Sequence, residues 1–228
     1  MAQDASFTFS SNDFVNITSD ASLQAETGMT IECWVNPESD TYTDYAPLVH
    51  YFRLGGPTEE SGFTLQYFDG ELRFMISVGD GNYDIVGDGL GLWPGTTLDQ
   101  GIWTHIAGTY DVTTGQAKIF KNGVEQASFA TEGGNLNWDF IETIDMKIGK
   151  SEMNPGTGDT FFNGGIDEVR LWNRALDATE TLPASSSNLI VAFFETNTPP
   201  VILSDVKVTV LSAPTSALAN FVSPLMYK

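Results

Sequence analysis

The chain is poor in the residues from which disulfide frameworks, metal centres and nucleic-acid surfaces are built. It has one cysteine, Cys33, and two histidines, His50 and His105. A single thiol forms no intramolecular disulfide, so the fold does not rest on an oxidising compartment, and a lone cysteine then serves as a small apolar side chain. Neither histidine has a partner at a spacing that reads as a metal site or a catalytic triad, so both are read as structural. Ten Lys and Arg stand against 30 Asp and Glu, a net charge of −20. That balance excludes phosphate-backbone binding, which needs basic side chains, and it disfavours anionic membrane surfaces. No apolar run approaches the roughly 18 residues of a membrane span, so no membrane insertion is expected. Met1–Ser6 carries neither a basic region nor an apolar core of a secretory signal. Localisation therefore stays open between cytosolic synthesis with assembly into a particle, such as a virion, and secretion with the signal already removed.

What the chain does have is aromatic side chains, 15 Phe, 7 Tyr and 5 Trp, arranged with a period of two. Phe7 and Phe9 alternate with Thr8 and Ser10, and Val15 and Ile17 follow. Ile31, Cys33 and Val35 alternate with Glu32, Trp34 and Asn36, and Pro37 closes that segment. Phe63–Tyr67 and Leu72–Ile76 flank Asp69-Gly70, and Gln116–Phe120 and Val124–Ser128 flank Asn122-Gly123, two strong hairpin signals. Trp103–Tyr110, Met146–Ile148 and Ile166–Trp172 complete the strands. No stretch sustains a 3.6-residue period, and Ala175–Thr181 is expected to make one short helical turn. The pattern predicts an all-β chain, an antiparallel two-sheet sandwich or jelly roll over residues 1–182. Residues 183–228 read as a linker and C-terminal extension, apolar and almost uncharged, in the manner of a docking arm. Long loops are expected over 79–101 and 131–144.

Three blocks carry a family resemblance: Met29–Pro37; Trp103–Asp111 followed by Lys121-Asn-Gly-Val124; and Phe162–Leu176. In this order they resemble the laminin-G-like, concanavalin A-like jelly rolls, the pentraxin-like variant in particular, over roughly residues 6–180. The resemblance implies two face-to-face sheets with the first strand beside the closing strand. It also implies frequent calcium binding and recognition of carbohydrate or protein. Two features depart from pentraxins. The position matching their second cysteine is Ala107, and Lys150–Asn154 lacks their acidic cluster.

The expected function is a non-catalytic recognition module for a glycan or a protein surface, with carbohydrate first and calcium assistance an option. The alternative is a structural or interaction subunit, such as a phage virion decoration protein, assembling as a homo-oligomer or larger particle through the C-terminal segment. Candidate ligand-binding residues are the loop aromatics Tyr42, Tyr45, Tyr83, Trp93 and Trp138, because sugar rings stack on aromatic faces while nearby acids and amides bond hydroxyls. Trp34, Trp103 and Trp172 are read as core or sheet-surface residues. The candidate metal ligands are Asp167, with Asn12 and Asp13 from the N-terminal strand region. By simple alternation Asp167 shares a face with Val169 and Leu171, where an unpaired carboxylate would be costly. Catalysis finds little support. Glu142 and Asp145, and likewise Asp167 and Glu168, point to opposite faces of a strand, whereas a retaining glycosidase needs two carboxyls about 5 Å apart. No Gly-x-Ser-x-Gly elbow occurs.

Overall fold

The alternation of Met29, Ile31, Cys33 and Val35 folds into strand β3 (Gly28–Pro37), with those four side chains fully buried and Thr30, Glu32, Trp34 and Asn36 on the other face. A computed structural model describes residues 7–10, 12–39, 45–53, 60–68, 71–79, 82–86, 96–131, 133–139, 141, 144–151, 159–181, 192–193 and 208–210, with only the backbone at 68, 82–86, 192–193 and 208–210. β3 lies centrally in the first of two large sheets. Its spatial order is β1 (Phe7–Phe9), β14 (Gly164–Trp172), β3, β8 (Thr104–Asp111), β9 (Gln116–Lys121) and β10 (Val124–Ala130), and β15 (Ala192–Phe193) pairs with β14 in parallel. The second sheet runs β16 (Val208–Val210), β2 (Val15–Ile17), β11 (Met146–Ile148), β4 (Ala46–Arg53), β5 (Ser61–Phe68), β6 (Glu71–Val78) and β7 (Asn82–Val86). β12 (Lys150–Ser151) and β13 (Thr160–Phe161) form a small separate pair.

The two-sheet sandwich is the architecture expected from the alternation. The first strand lies beside the closing strand, Phe7 opposite Ile166 and Phe9 opposite Gly164. Phe63 pairs with Ile76 through to Phe68 with Glu71, while Asp69 and Gly70 lie outside the described residues. Asn122 and Gly123 both take positive φ, 50° and 74°, as a type I′ turn requires.

Two features differ from the sequence reading. Ala46–Arg53 is a strand that alternation does not reveal, because a register shift between Pro47 and Val49 interrupts the period and nearly every side chain is buried. Residues 82–86, inside an expected loop, pair with β6 as β7. Ala175–Thr181 makes a single turn, as expected, closed by the Glu180 and Thr181 amides donating to the Asp177 carbonyl at 3.1 and 3.0 Å. The Asp177 carboxylate caps that turn, accepting from the Thr179 and Glu180 amides, in the way an N-cap serves the N–H groups that a helix start leaves without a backbone partner. The segment 183–228 contributes β15 to one sheet and β16 to the other. Among the described residues, no helix is long and apolar enough to cross a membrane.

Between the sheets, Ile31, Cys33, Val35, Ile106, Tyr110, Ile119, Ile166 and Leu171 pack on Val49, Tyr51, Phe63, Leu65, Tyr67, Phe74 and Ile76. The approach is tightest at Gly108 of β8, where an added Cβ would lie 2.6 Å from the Phe74 ring. Gly108→Val is therefore expected to destabilise the fold by about 1–3 kcal/mol through overpacking. The change reads as a lower urea midpoint at unchanged slope. An unchanged midpoint would show that the sheets separate freely there.

The outer face of the second sheet places Lys147 beside His50 and His50 beside Thr64. His50 is fully enclosed, with Nδ1 3.3 Å from Thr64 Oγ1. Burial, reinforced by the Lys147 charge, lowers its pKa to about 3. The sign follows from linkage. The unfolded histidine takes up a proton below about pH 6.5 while the folded one stays neutral, so stability drains as pH falls through that window. Between pH 6.5 and 5 the unfolding free energy is expected to fall by up to about 1.4 kcal/mol per pH unit from this group. His50→Gln should flatten that slope in denaturation series, and an unaltered slope would show that His50 titrates normally when folded.

Candidate functional site

Of the loop aromatics, only Tyr45 and Trp138 have described side chains. Tyr42 and Trp93 lie outside the described residues. Tyr45, half-buried, immediately precedes β4, whereas Trp138 packs against Tyr51 near the far end of that strand, ring centroids 6.0 Å apart. The Trp138 indole N–H donates to the Ala25 carbonyl at 3.0 Å, and its ring also meets Phe63, so much of this side chain closes one end of the core. Tyr83 stands in β7, in register with Ser77.

The metal candidates are also separated. Asp13 Oδ2 accepts from the amide and hydroxyl of Ser10 in the turn that follows β1, and Asn12 is exposed in the same turn. β1 pairs antiparallel with β14, Phe9 facing Gly164 and Phe7 facing Ile166. Asp167 therefore lies beyond the other end of β1, about 13 Å from Ser10 along the strands. Two ligands of one calcium ion sit about 2.3–2.6 Å from it, so these three residues do not share an ion. Among the described residues no group of three or more His, Cys, Asp or Glu is placed to hold a metal.

What the fold does assemble is a patch on the outer face of the first sheet. Opposite Cys33, strand β14 inserts an extra residue between Asp167 and Arg170, and Glu168 takes a φ of 47° there. This bulge corrects the alternation reading. Val169 and Leu171 are buried in the core, while Asp167 faces outward, opposite Trp34, with Arg170 opposite Glu32 and Trp172 opposite Thr30.

Glu32 is the hub of the patch, only 3% exposed. Its Oε1 accepts from the Trp172 indole N–H at 3.0 Å and lies 3.5 Å from Arg170 Nη1, while Oε2 lies 3.3 Å from His105 Nε2. Arg170 Nη2 reaches Glu168 Oε2 at 2.6 Å. Burial pushes the Glu32 carboxyl upward, but the His105 contact, the Trp172 hydrogen bond and the Arg170 charge outweigh it and hold the group below the usual carboxylate range. Burial dominates at Glu168 and raises it, in spite of Arg170. Both carboxylates are thus committed to one guanidinium. His105 is 1% exposed, meets the Trp34 ring edge-on at 5.5 Å between centroids, and its Nδ1 has no hydrogen-bond partner among the described residues.

Aromatic rings frame this hub. Trp34 and Trp172 are half-buried, and the Arg174 guanidinium lies 5.7 Å from the Trp172 ring. Trp103, 38% exposed, lies over Gly165, where an added Cβ would come within 2.6 Å of its ring. Trp34, Trp103 and Trp172 were assigned in the sequence only to the core or a sheet surface. The signal that separates them is parity. Glu32 and Trp34 fall between Ile31, Cys33 and Val35, so they face away from the core.

Comparison with known proteins places this geometry. A laminin-G family model, described as the concanavalin A-like lectin/glucanases superfamily, matches residues 9–181. Curated protein sequences yield no match. Among solved structures, the heptameric SAP-like pentraxin of Limulus polyphemus is similar with a TM-score of 0.55 and 15% identity, over 90% of this chain and 92% of the pentraxin. The CBM40 module of the Ruminococcus gnavus IT-sialidase bound to α2,3-sialyllactose is similar with a TM-score of 0.55 and 17% identity, over 77% of this chain and 94% of the module. The same module bound to α2,6-sialyllactose has a TM-score of 0.51 and 18% identity, over 78% and 95%. At these identities the likenesses establish the fold. With its strands, its closing block and 173 consecutive residues matching one family model, from 9 to 181, this chain belongs to the concanavalin A-like lectin/glucanase superfamily.

Proposed function

We propose that this protein is a non-catalytic carbohydrate-recognition module that engages glycans on the outer face of its first sheet. The observation that carries this reading is the convergence of three indoles, Trp34, Trp103 and Trp172, with the partly exposed polar side chains of Asn36, Asp167 and Arg170 on one surface. Aromatic faces cover the apolar side of a sugar ring, and flanking polar groups meet its hydroxyls. The lectin-like fold supports the reading, as does the sialyllactose held by the CBM40 neighbour. The commitment of Glu32 and Glu168 to Arg170 supports a binding role over an acid and nucleophile pair.

A glycan array run with the purified protein tests this, and retention of at least one glycan class is the expected outcome; silence across the array would overturn it. The calcium option is tested separately. Because Asp167 does not share a site with Asn12 and Asp13, the thermal shift produced by calcium over chelator should be the same in Asp167→Asn and in the parent. A shift present in the parent and lost in that variant would restore Asp167 as a ligand.

A second reading, an assembly subunit, is favoured by one observation: residues 183–228 supply strands to both sheets, and strand addition at an edge is also how chains exchange segments. Deleting residues 199–228 should then change the oligomeric state measured by light scattering, and an unchanged mass at equal concentration would remove this reading.

A further inference from the structure

We infer that the patch on the first sheet selects uncharged linear oligosaccharides, with Trp103 as its anchor, and rejects sialylated and uronic glycans. This rests on the carbohydrate reading and narrows it.

Length comes from register. Trp172 stands opposite Thr30, four residues along β3 from Trp34, and Trp103 lies over Gly165, opposite Asn36, two residues the other way. At about 3.3 Å per residue the backbone positions marked by the three indoles span roughly 20 Å along the strands, with the Trp172 indole leaning inward to Glu32. One monosaccharide covers one indole, whereas an extended chain of sugars can follow all three.

Charge comes from the partners. Among the described residues, the cations on this face are in ion pairs: Lys118 with Glu125 at 2.9 Å, Arg170 with Glu168 at 2.6 Å, and Arg174 with Glu180 at 2.8 Å. Arg170 is also 3.5 Å from Glu32, so a carboxylate ligand would have to displace two resident ones. The Asp167 carboxylate lies on the same face, and the whole chain carries −20. That field repels an anionic glycan before contact. The groups that remain for a ligand are neutral in kind: the indole faces and the partly exposed Asn36 amide beside Gly165.

The experiment titrates the full chain, by calorimetry and tryptophan fluorescence, with uncharged cello-, manno- and xylo-oligosaccharides. Parallel titrations use 3′-sialyllactose and oligogalacturonate. Binding is expected among the uncharged probes and absent for the charged ones. Trp103→Ala should weaken it about tenfold or more, as truncation of an aromatic anchor does. Tyr45→Ala, at the residue immediately preceding β4 of the second sheet, should keep the parental affinity. Trp103 is a surface residue, so circular dichroism of its variant should match the parent. Tighter binding of a charged probe, or parental affinity in Trp103→Ala alongside loss in Tyr45→Ala, would overturn this inference and leave the carbohydrate reading standing. Absence of binding to every oligosaccharide would overturn both.

Discussion

Glu32 holds its carboxylate on the outer face of β3, and groups from both neighbouring strands close on it: His105 from β8, Arg170 and Trp172 from β14. A carboxylate so enclosed would take up a proton unless its charge were compensated. Here the compensation is strong enough to keep it ionised, and removing one partner from such a buried cluster costs about 3–5 kcal/mol. Everything else on that face is arranged around this requirement. Trp172 lies where its N–H can reach Glu32, and Trp34 covers the histidine that Glu32 orients. Three central strands are thereby tied together on the side of the sheet away from the core, in addition to their backbone ladder.

The bulge at Glu168 makes the arrangement compatible with a core. In strict alternation Asp167, Val169 and Leu171 would share one face, so that either the carboxylate would enter the core or Val169 and Leu171 would leave it. One inserted residue resolves the conflict, so that Ile166, Val169 and Leu171 pack inside while Asp167, Arg170 and Trp172 stand outside. A non-glycine residue at positive φ costs on the order of 1–3 kcal/mol, and it persists where its surroundings fix it. At Glu168 the fixing contacts are the salt bridge to Arg170 and the hydrogen bond that its backbone N–H donates to Asp167 Oδ1 at 2.8 Å.

Much of this fold was legible from period two alone. β3 and the β9–β10 hairpin could be read because their apolar positions alternate cleanly and their turns carry Asn-Gly or end on proline. β4 was not legible, since a strand buried on both faces with a register shift at Pro47 shows no alternation to detect. The outer-face patch was half legible. Parity places Glu32 and Trp34 away from the core, yet the same rule misplaces Asp167, because a bulge leaves no mark in a sequence without a glycine at its centre. His105 reads as partnerless for a related reason: Glu32 is 73 positions away in the chain, and only the β3–β8 register, with Trp34 opposite His105, brings them together. The separation of Asp167 from Asn12 and Asp13 likewise depends on which residue of β1 faces which residue of β14.

The fold is shared with proteins whose ligands differ, so the chemistry of recognition has to come from the side chains this chain places on it. Its basic residues are few, and on the patch they are spent on internal ion pairs that hold Glu32, Glu125, Glu168 and Glu180. A sheet that commits its guanidinium to its own carboxylates has no cation left for those of a ligand. The fold that this chain shares with the sialyllactose-bound CBM40 module is here embedded in a strongly negative field. An acid excess that repels a phosphate backbone repels a charged glycan in the same way, and it favours stacking on indoles and hydrogen bonds to neutral hydroxyls.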